Sequence, residues 1–520
     1  MSSVTENNKR IAKNTLFLYI RTFIIMFVTL YTSRVVLQTL GETDFGIYNI
    51  VGSVVVLFSF LNSAMSSATL RFLNYELGRK NINGVKRIFS MSLTAYITIA
   101  LLIVVLAETI GAYFVYTKLN IPKDRFIAAL WVYHFSILSC CVSILRIPYN
   151  AIIIAYERMS FYAYISIVEA VLKLLLVYLL LIVQHDKLIL YSILMFVVVL
   201  IMNLAYKYFC NKKFTVSHYS FFWDAKLYKE LVCFSGWSML GSLANVGSNQ
   251  GVNIVINVFC GVAVNAAMGI AHQVHAAVNT FIANFQTAFV PQIIKSYAEE
   301  NRNYFLSLIF RTSRFSYFLI FLIGFPLILC CRPILEFWLT VIPKYAVEFT
   351  QLIVIFCMID AVSGPLWNSV QATGKIRNYQ ILISILISLN IPVSFALLYF
   401  DFSPVYVIIA KVGLNILTLL VRVLYLGGHV GLPVRKYFKE VILRIIYVTI
   451  CAIPIPICFQ LLFEDTLHFI NTFILSGIIS LLVIYRIGLT VNERMAFVLK
   501  MKKCCSRVFH INKSFYDKYL

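Results

Sequence analysis

The chain has 520 residues, of which 61% are hydrophobic and 13% are charged, and its formal net charge is +22. Because a soluble domain carries about 25% charged residues, this composition excludes an ordinary water-soluble enzyme or binding module. Apolar runs recur at the length of about 20 residues that crosses a bilayer core, whereas the alternating segments of about ten residues typical of a transmembrane β-barrel are missing. The sequence therefore predicts an all-α polytopic membrane protein.

Hydropathy and turn signals predict about fourteen transmembrane helices. In chain order their predicted bounds are 12–36, 46–73, 88–116, 126–152, 161–183, 188–209, 229–257, 262–291, 306–330, 346–371, 378–399, 403–426, 439–462 and 468–489. The basic segment before the first span is followed by no small-residue cleavage site, so we interpret that span as a retained helix and not as a signal peptide.

Lysine and arginine residues are distributed unequally between the connections. They are frequent at the N-terminus, in every second connection and in the C-terminal tail, whereas the connections near 42–45, 257–262, 400–403 and 463–467 contain none. The positive-inside rule then predicts that both termini are cytoplasmic. The basic excess is thus an orientation signal, aided by attraction to anionic lipid headgroups, and we predict no nucleic-acid partner.

A weak internal repeat runs through the chain. At an offset of 220 residues, Gly41 matches Gly261 and Asn81 matches Asn301. At an offset of 217 residues, the matched pairs are Pro148 and Pro365, Ala155 and Ala372, Arg158 and Lys375, and Tyr162 and Tyr379. An even number of spans separates the matched elements, which predicts a parallel repeat related by an axis along the membrane normal.

The repeat predicts two six-helix lobes followed by two additional helices. The predicted divisions are an N-terminal lobe at 1–210 (spans 1–6), a cytoplasmic linker at 211–228, a C-terminal lobe at 229–427 (spans 7–12), spans 13 and 14 at 428–490, and a basic cytoplasmic tail at 491–520. Hereafter the two lobes are called the N-lobe and the C-lobe.

Ionisable residues inside the predicted spans are candidates for a polar cavity, because they are costly to place in lipid. The candidates in the N-lobe are Arg21, Glu108, Arg146, Glu169 and Lys173, those in the C-lobe are Arg311, Arg314, Asp360 and Lys411, and Arg444 lies in span 13. Glu169 and Lys173 have the i,i+4 order of an intrahelical ion pair, so they form a structural pair or belong to a cavity. Four arginines are expected to snorkel to the cytoplasmic interface: Arg146, Arg311, Arg314 and Arg444. Arg21, Asp360 and Lys411 lie deeper and are predicted to face a cavity.

Spans 7 and 8 are unusually rich in amides and histidines. One face of span 7 carries Asn245, Asn249 and Asn253, and span 8 carries His272, His275 and Asn279 on one face, with Gln273 beside them. We interpret these faces as wet surfaces turned to a shared aqueous cavity. The two histidines are either a proton site or partners in satisfied interhelical hydrogen bonds.

No catalytic motif is present in the sequence. It contains no P-loop, no dinucleotide-binding fingerprint, no zinc-protease motif and no serine-hydrolase motif. The twelve cysteines do not have metal-binding spacing, and we interpret them as packing residues. We therefore predict no catalytic residues, no cofactor and no metal. The acidic pair Glu42 and Asp44 is interpreted as a water-exposed outer turn between spans 1 and 2, because the matching turn at Gly261 has neither acid.

Several segments resemble those of bacterial polysaccharide flippases. They are "NKRIAKNTLFLYIRTFI" at the start, "LGETDFGIYNIVGS" in the first turn and second span, "GRKNINGVKRI" after the second span, and "AxGK" at Ala372–Lys375 after "PLWNSVQ". The chain is thus similar to the Wzx-like members of the multidrug/oligosaccharidyl-lipid/polysaccharide (MOP) exporter superfamily. The resemblance covers spans 1–12.

The resemblance implies a MATE- and MurJ-like fold with two lobes around a central cavity that opens alternately to each side. It implies flipping of undecaprenyl-diphosphate-linked oligosaccharide repeat units across the bacterial inner membrane for O-antigen or capsule assembly, with a polysaccharide polymerase and a chain-length regulator as partners. Arg21 and Lys411 would then be counter-charges for phosphate, and the amides of spans 7 and 8 would meet sugar hydroxyls. Lys173 and His272 would also line the substrate cavity. Glu108, Glu169 and Asp360 would serve ion coupling.

Two other functions remain open at this point. A multidrug or other small-molecule antiporter with the same fold would need a cavity dominated by carboxylates and aromatics, whereas the candidate residues here are mostly basic or amides. A membrane glycosyltransferase or polymerase would need a long outer loop with catalytic acids, and every predicted outer loop is short.

Overall fold

The computed structural model describes residues 14–491, except for 30, 33–34, 37, 42–43, 45–46, 49–58, 118–121, 183–185, 340–341 and 463–467, and it also describes 493–495. Within these ranges the backbone is helical with short connections, and no strand occurs. The predicted all-α class is confirmed. Glu42 and most of the predicted tail at 491–520 lie outside the described residues.

The helices are numbered here in chain order. The N-lobe contains α1 (Asn14–Thr29), α2 (Ser59–Gly78), α3 (Ile82–Leu106), α4 (Phe126–Ala155), α5 (Met159–Ile182) and α6 (Lys187–Lys213). The helical stretch Ala225–Ala298 bends at Gly261 into two arms, α7 (225–260) and α8 (262–298). They are followed by α9 (Arg302–Leu329), α10 (Ala346–Thr373), α11 (Arg377–Tyr399), α12 (Pro404–His429), α13 (Val434–Gln460) and α14 (Phe469–Gly488).

Ten helices among the described residues are long and apolar enough to cross a membrane, namely α3 to α6 and α9 to α14. The remaining predicted spans correspond to α1, α2 and the two arms of the bent stretch. The structure is therefore compatible with the predicted fourteen spans, and the chain is a multi-pass membrane protein.

The internal repeat is visible in the backbone at its first offset. Gly41 and Gly261 both have a left-handed φ, of 77° and 79°, a conformation that glycine adopts without steric cost. Asn81 and Asn301 both cap the next helix, because their side chains accept the backbone N–H three residues later, at 3.0 Å and 3.3 Å. These pairs mark the two ends of the molecule, which we call the Gly41 side and the Asn81 side.

The second offset is equally clear at the ends of α4 and α10. Each helix contains a proline, Pro148 or Pro365, at the matched position. Each is followed by a residue with a left-handed φ, Glu157 at 58° and Gly374 at 77°. The two-lobed parallel repeat is thus confirmed by backbone conformation and not only by residue identity.

The two lobes are held together on the Asn81 side. Lys295 on α8 donates to Oε1 of Glu157 at 3.0 Å and to the Ala155 carbonyl at 2.6 Å, and Gln292 donates to the same Glu157 oxygen at 2.6 Å. Across the same side, Nε of Arg71 on α2 donates to the Gln371 carbonyl at 3.2 Å. Among the described residues of the Gly41 side, no hydrogen bond or ion pair joins the lobes.

The glycine at the end of α2 explains how closely the lobes approach. A Cβ added at Gly78 would lie 2.7 Å from both Cβ of Ala298 and the carbonyl oxygen of Lys295. Only a residue without a side chain fits this contact between α2 and α8. The sequence "ELGRKN" therefore shapes the lobe interface as well as the turn after it.

The outer turn containing Asp44 differs from its prediction. Asp44 is not free in water, because its carboxylate accepts from the Arg125 guanidinium, whose Nε lies 2.8 Å from Oδ1. Nη1 of Arg125 also reaches Asp186 at 2.7 Å, and Asp186 caps α6 by accepting from the backbone N–H of Leu188. Arg125 thus ties together the three N-lobe connections on the Gly41 side. For Asp44 the expectation of a water-exposed carboxylate was wrong, and the interpretation of the turn as non-catalytic stays a prediction.

Candidate functional site

The N-lobe encloses a cavity of ≈ 580 Å³ between α1, α4, α5 and α6. Its charged lining residues are Arg21, Arg146, Glu169 and Lys173. Three cations thus share the space with one carboxylate. This cavity, called the N-lobe cavity below, therefore has a net positive charge that its own side chains do not neutralise.

Glu169 is held by two of these cations. Nη1 of Arg146 donates to its Oε2 at 3.0 Å, and Nζ of Lys173 donates to its Oε1 at 2.8 Å. The i,i+4 pair predicted from sequence is therefore present, and it lies in a cavity rather than on a lipid-facing surface. The expectation that Arg146 snorkels to the interface was wrong, because the carboxylate one helix away binds its guanidinium within the cavity.

Arg21 is the cation without a carboxylate partner in this cavity. Its guanidinium stacks over the Tyr162 ring, with the central carbon 4.4 Å from the ring centroid. Its Nε is buried and has no hydrogen-bond partner in the structure. A buried charged donor without an acceptor is costly, so this end of the cavity is suited to an anionic ligand.

A second cavity, of ≈ 440 Å³, lies in the C-lobe between α7, α8, α10, α11 and α12. Amides and hydroxyls dominate its lining, which includes Asn245, Asn279, Gln286, Gln380, Ser238 and Ser384. Trp367 and Tyr379 form an aromatic wall, with ring centroids 5.4 Å apart and planes 16° from parallel. Together with the small adjoining pocket around Lys411, this space is called the C-lobe cavity.

The charged groups of the C-lobe cavity are Asp360, Lys411 and Arg422. Lys411 is 4% exposed, and its Nζ donates to Oδ1 of Asn249 at 2.7 Å and lies 5.0 Å from the Phe356 ring centroid. Neither cation lies within ion-pair distance of Asp360 among the described residues. The Asp360 carboxylate at the cavity wall is thus available to bind a cation.

The amide faces predicted on spans 7 and 8 meet only in part. Asn245 and Asn279 line the C-lobe cavity, and Asn249 lines the part of it around Lys411. Closer to the bend at Gly261, Nε2 of His272 on α8 donates to Oδ1 of Asn253 on α7 at 3.0 Å.

Four predicted residues line neither cavity within the described part of the chain: Asn253 and His272, which bond to each other, Gln273 and Glu108. Gln273 is exposed, and Glu108 pairs with the exposed His134, with Nδ1 and Oε1 3.0 Å apart. The remaining histidine of the predicted face, His275, accepts from Asn279 of its own helix, with Nδ2 3.0 Å from Nε2.

Arg21 and Lys411 were both expected to be counter-charges for the phosphates of the substrate, yet they lie in different cavities. Sequence reasoning also missed Arg422, which sits near the end of α12 at a depth that resembles a snorkelling position. Its guanidinium lies 6.0 Å from the Tyr379 ring centroid. Tyr162 and Tyr379 are matched in the internal repeat and each lies near an arginine, but Arg21 and Arg422 are on unmatched helices of their lobes, so the repeat gave no signal for Arg422.

Solved structures of transporters share this architecture. A multidrug resistance MATE family transporter of the MOP superfamily in an outward-facing conformation matches with a TM-score of 0.72 and 12% identity, over 82% of this chain and 96% of that one. A MOP superfamily transporter from Pyrococcus furiosus Vc1, described as having a binding pocket of reverse polarity, matches with a TM-score of 0.71 and 12% identity, over the same shares of the two chains. A MATE structure in the straight conformation matches at 0.70 and 12% identity, over 83% of this chain and 97% of that one.

These similarities show that the chain has the fold of the MATE transporters. No protein-family model matches the sequence, and no curated protein matches it significantly. The substrate therefore has to be argued from the chemistry of the two cavities.

Proposed function

We propose that this protein is a transporter that flips undecaprenyl-diphosphate-linked oligosaccharide repeat units from the cytoplasmic to the periplasmic leaflet of the bacterial inner membrane, for O-antigen or capsular polysaccharide assembly. The observation that carries the proposal is the charge imbalance of the N-lobe cavity, where three cations share one carboxylate. A diphosphate supplies the missing negative charge, and arginine binds phosphate oxygens with two parallel hydrogen bonds.

The N-lobe cavity is the proposed diphosphate site. Arg21 has an unused buried donor, whereas Arg146 and Lys173 are positioned by their shared Glu169. A phosphate group entering the cavity would meet one free guanidinium and two oriented cations. Because Arg146 and Lys173 both pair with Glu169, they line the cavity without the free-energy cost of burying an unpaired charge.

The C-lobe cavity is the proposed sugar site. Its amides and hydroxyls offer donors and acceptors in both directions, as sugar hydroxyls require, and the Trp367 and Tyr379 rings provide a flat apolar wall. Lys411 and Asn249 form one fixed corner of this site. Because Glu169 is occupied by two cations and Glu108 lies away from both cavities, the ion-coupling role is assigned to Asp360.

The positive-inside pattern places the Asn81 side in the cytoplasm. With the lobes joined on that side by Glu157 and Lys295, the structure would represent a state closed to the cytoplasm. Alternating access would then require these contacts to separate while the lobes meet on the Gly41 side. The polymerase and the chain-length regulator would act on the released product at the periplasmic side.

A small-molecule antiporter with the same fold is the second candidate. Asp360 beside the rings of Trp367 and Tyr379 is the observation that favours it, because a carboxylate and aromatic faces together attract organic cations. The two candidates differ in the sign of the transported charge.

Deletion of the gene followed by analysis of lipid-linked intermediates separates the candidates. Flipping predicts that complete single repeat units accumulate on the cytoplasmic leaflet, and that wild-type protein restores export. Arg21→Ala and Lys411→Ala should each fail to restore export while inserting in the membrane normally, whereas the exposed Lys213→Ala should restore it. Unchanged intermediates in the deletion strain, together with lost resistance to cationic compounds, would instead support the antiporter.

A further inference from the structure

A third pocket, of ≈ 530 Å³, opens on the Asn81 side and belongs to neither transport cavity. It lies between α2 of the N-lobe and α7, α12 and the turn from α10 to α11 of the C-lobe. Its charged lining residues are Arg71, Glu230, Lys375 and Arg377, and its aromatic lining residues are Phe72, Phe234, Trp237 and Tyr425. The pocket is therefore built by both lobes, and its cations outnumber its acids.

Arg71 forms the buried end of this pocket. The residue is only 8% exposed, and its guanidinium lies over the rings of Phe72 and Tyr75, 4.5 Å and 4.9 Å from their centroids. Nε donates to the Gln371 carbonyl at 3.2 Å. The terminal nitrogens have no hydrogen-bond or ion-pair partner among the described residues, and they point into the pocket.

The turn after α10 closes over these terminal nitrogens. Gly374 has a φ of 77°, and a Cβ added at this position would collide with Nη2 of Arg71. The glycine of the "AxGK" segment, which the transport cavities do not use, therefore leaves room for the Arg71 guanidinium at this end of the pocket. A side chain at this position would displace the guanidinium.

Lys375 and Arg377 supply the exposed rim. Both side chains are exposed, and the Arg377 guanidinium lies 5.3 Å from the Trp237 ring centroid. On the opposite wall, Tyr425 stacks on His429 with ring centroids 4.0 Å apart. With Glu230 as its one carboxylate, the pocket attracts an anion of about two charges, and a buried arginine favours a phosphate group over a carboxylate since phosphate offers more acceptor oxygens.

We propose that this pocket is a phosphate-group site, distinct from the transport cavities, whose occupant binds both lobes and stabilises the state in which they meet on the Asn81 side. Arg71 belongs to the N-lobe, while Lys375 and Arg377 belong to the C-lobe, so one phosphate group joins the two. The phosphate comes from the headgroup of an anionic lipid or from a soluble phosphate ester. The proposal does not depend on the identity of the transported substrate.

A native reporter for this site exists in the chain. Cys233 lines the pocket and is an exposed free thiol. The full-length protein is purified and reconstituted in phosphatidylcholine nanodiscs, and maleimide labelling of Cys233 is followed by peptide mass spectrometry during titration with inorganic pyrophosphate. We expect pyrophosphate to slow labelling of Cys233 and to leave unchanged the labelling of a cysteine introduced at the exposed Lys213 (K213C).

The double variant K375Q/R377Q changes only exposed side chains and should fold. Loss of two cations should raise the pyrophosphate concentration that protects Cys233 by at least about tenfold. K86Q removes an exposed cation on the same side and should leave protection unchanged, and so should R21Q, which alters the N-lobe cavity. Lack of protection in the wild type, or equal losses in K86Q and in the double variant, would overturn the proposal.

A second experiment distinguishes the two sources of phosphate. Nanodiscs that also contain phosphatidylglycerol should protect Cys233 without pyrophosphate if the natural occupant is a lipid headgroup, and K375Q/R377Q should lose this protection. If phosphatidylglycerol leaves both the labelling rate and the pyrophosphate titration as they are in phosphatidylcholine, the occupant is a soluble phosphate ester. Failure of the flippase proposal would leave either result unaffected.

Discussion

Replacing Arg21 with glutamine tests the assignment of the diphosphate to the N-lobe cavity. The change removes a positive charge and keeps a polar side chain of similar length. A hydrogen bond to a charged group contributes about 1.5–3 kcal/mol, so loss of the Arg21 contact should weaken diphosphate binding by about 10- to 150-fold.

The stability of the protein should change little. The substitution loses the stacking over Tyr162, where the cation lies 4.4 Å from the ring centroid, a contribution of about 0.5–2 kcal/mol. It also removes a buried guanidinium nitrogen that has no acceptor, which offsets that loss. We therefore expect the free energy of unfolding to change by about 1 kcal/mol or less.

Binding of farnesyl diphosphate to the detergent-purified protein, measured by isothermal titration calorimetry, checks the first expectation, and thermal unfolding checks the second. R422Q makes the matched change beside Tyr379 in the C-lobe, and it should weaken diphosphate binding less than R21Q does. If R21Q binds within about threefold of the wild type, or if R422Q has the larger effect, the phosphate assignment is wrong.

Three further changes test other parts of the structure. R125A removes the contacts to Asp44 and Asp186. Because these groups are partly exposed, the change should lower the free energy of unfolding by only about 1–2 kcal/mol. Thermal unfolding measures this loss, and D124A is the control that should have little effect. K295M removes the ion pair between Lys295 and the buried Glu157 carboxylate, so the lobes should separate more readily on the Asn81 side, measured as faster proteolysis there. The double variant E157Q/K295M should recover part of the loss. G78A places a methyl group 2.7 Å from the Lys295 carbonyl, which should lower the melting temperature more than the same change at Gly236, where no atom lies within 4 Å.

The fold was largely predictable because hydropathy and turn chemistry are local properties. The span limits follow from the hydropathy of residues near one another in the chain, and the two offsets follow from comparing short segments of the chain with each other. Orientation by the positive-inside rule uses composition alone and stays a prediction, as do the domain limits. The sequence also placed Arg21, Glu169 and Lys173 inside a polar space, because charges in the middle of a span have few other acceptable environments.

The grouping of the site residues was not predictable, because it depends on which helices are neighbours. Arg146 looked like a snorkelling residue until α4 and α5 were seen to place Glu169 beside it. Arg21 and Lys411 looked equivalent by depth and charge, yet α1 and α12 belong to different lobes. Arg71 was not considered at all, since its importance arises from a turn 300 positions away that its guanidinium contacts.

The repeat duplicates the backbone of the two lobes but not their charged residues. The two lobe cavities are therefore suited to different parts of a substrate. Tyr162 and Tyr379 occupy matched positions and each faces an arginine. The N-lobe positions that carry Glu169 and Lys173 correspond, at the same offset, to Leu386 and Asn390. Among the described residues, the ion-paired cations of the N-lobe cavity therefore have no counterpart at the matched positions of the C-lobe, whose cavity carries amides and Asp360. A substrate with a charged end and a neutral polar end would be oriented by this asymmetry, because only one of its two possible placements satisfies both cavities.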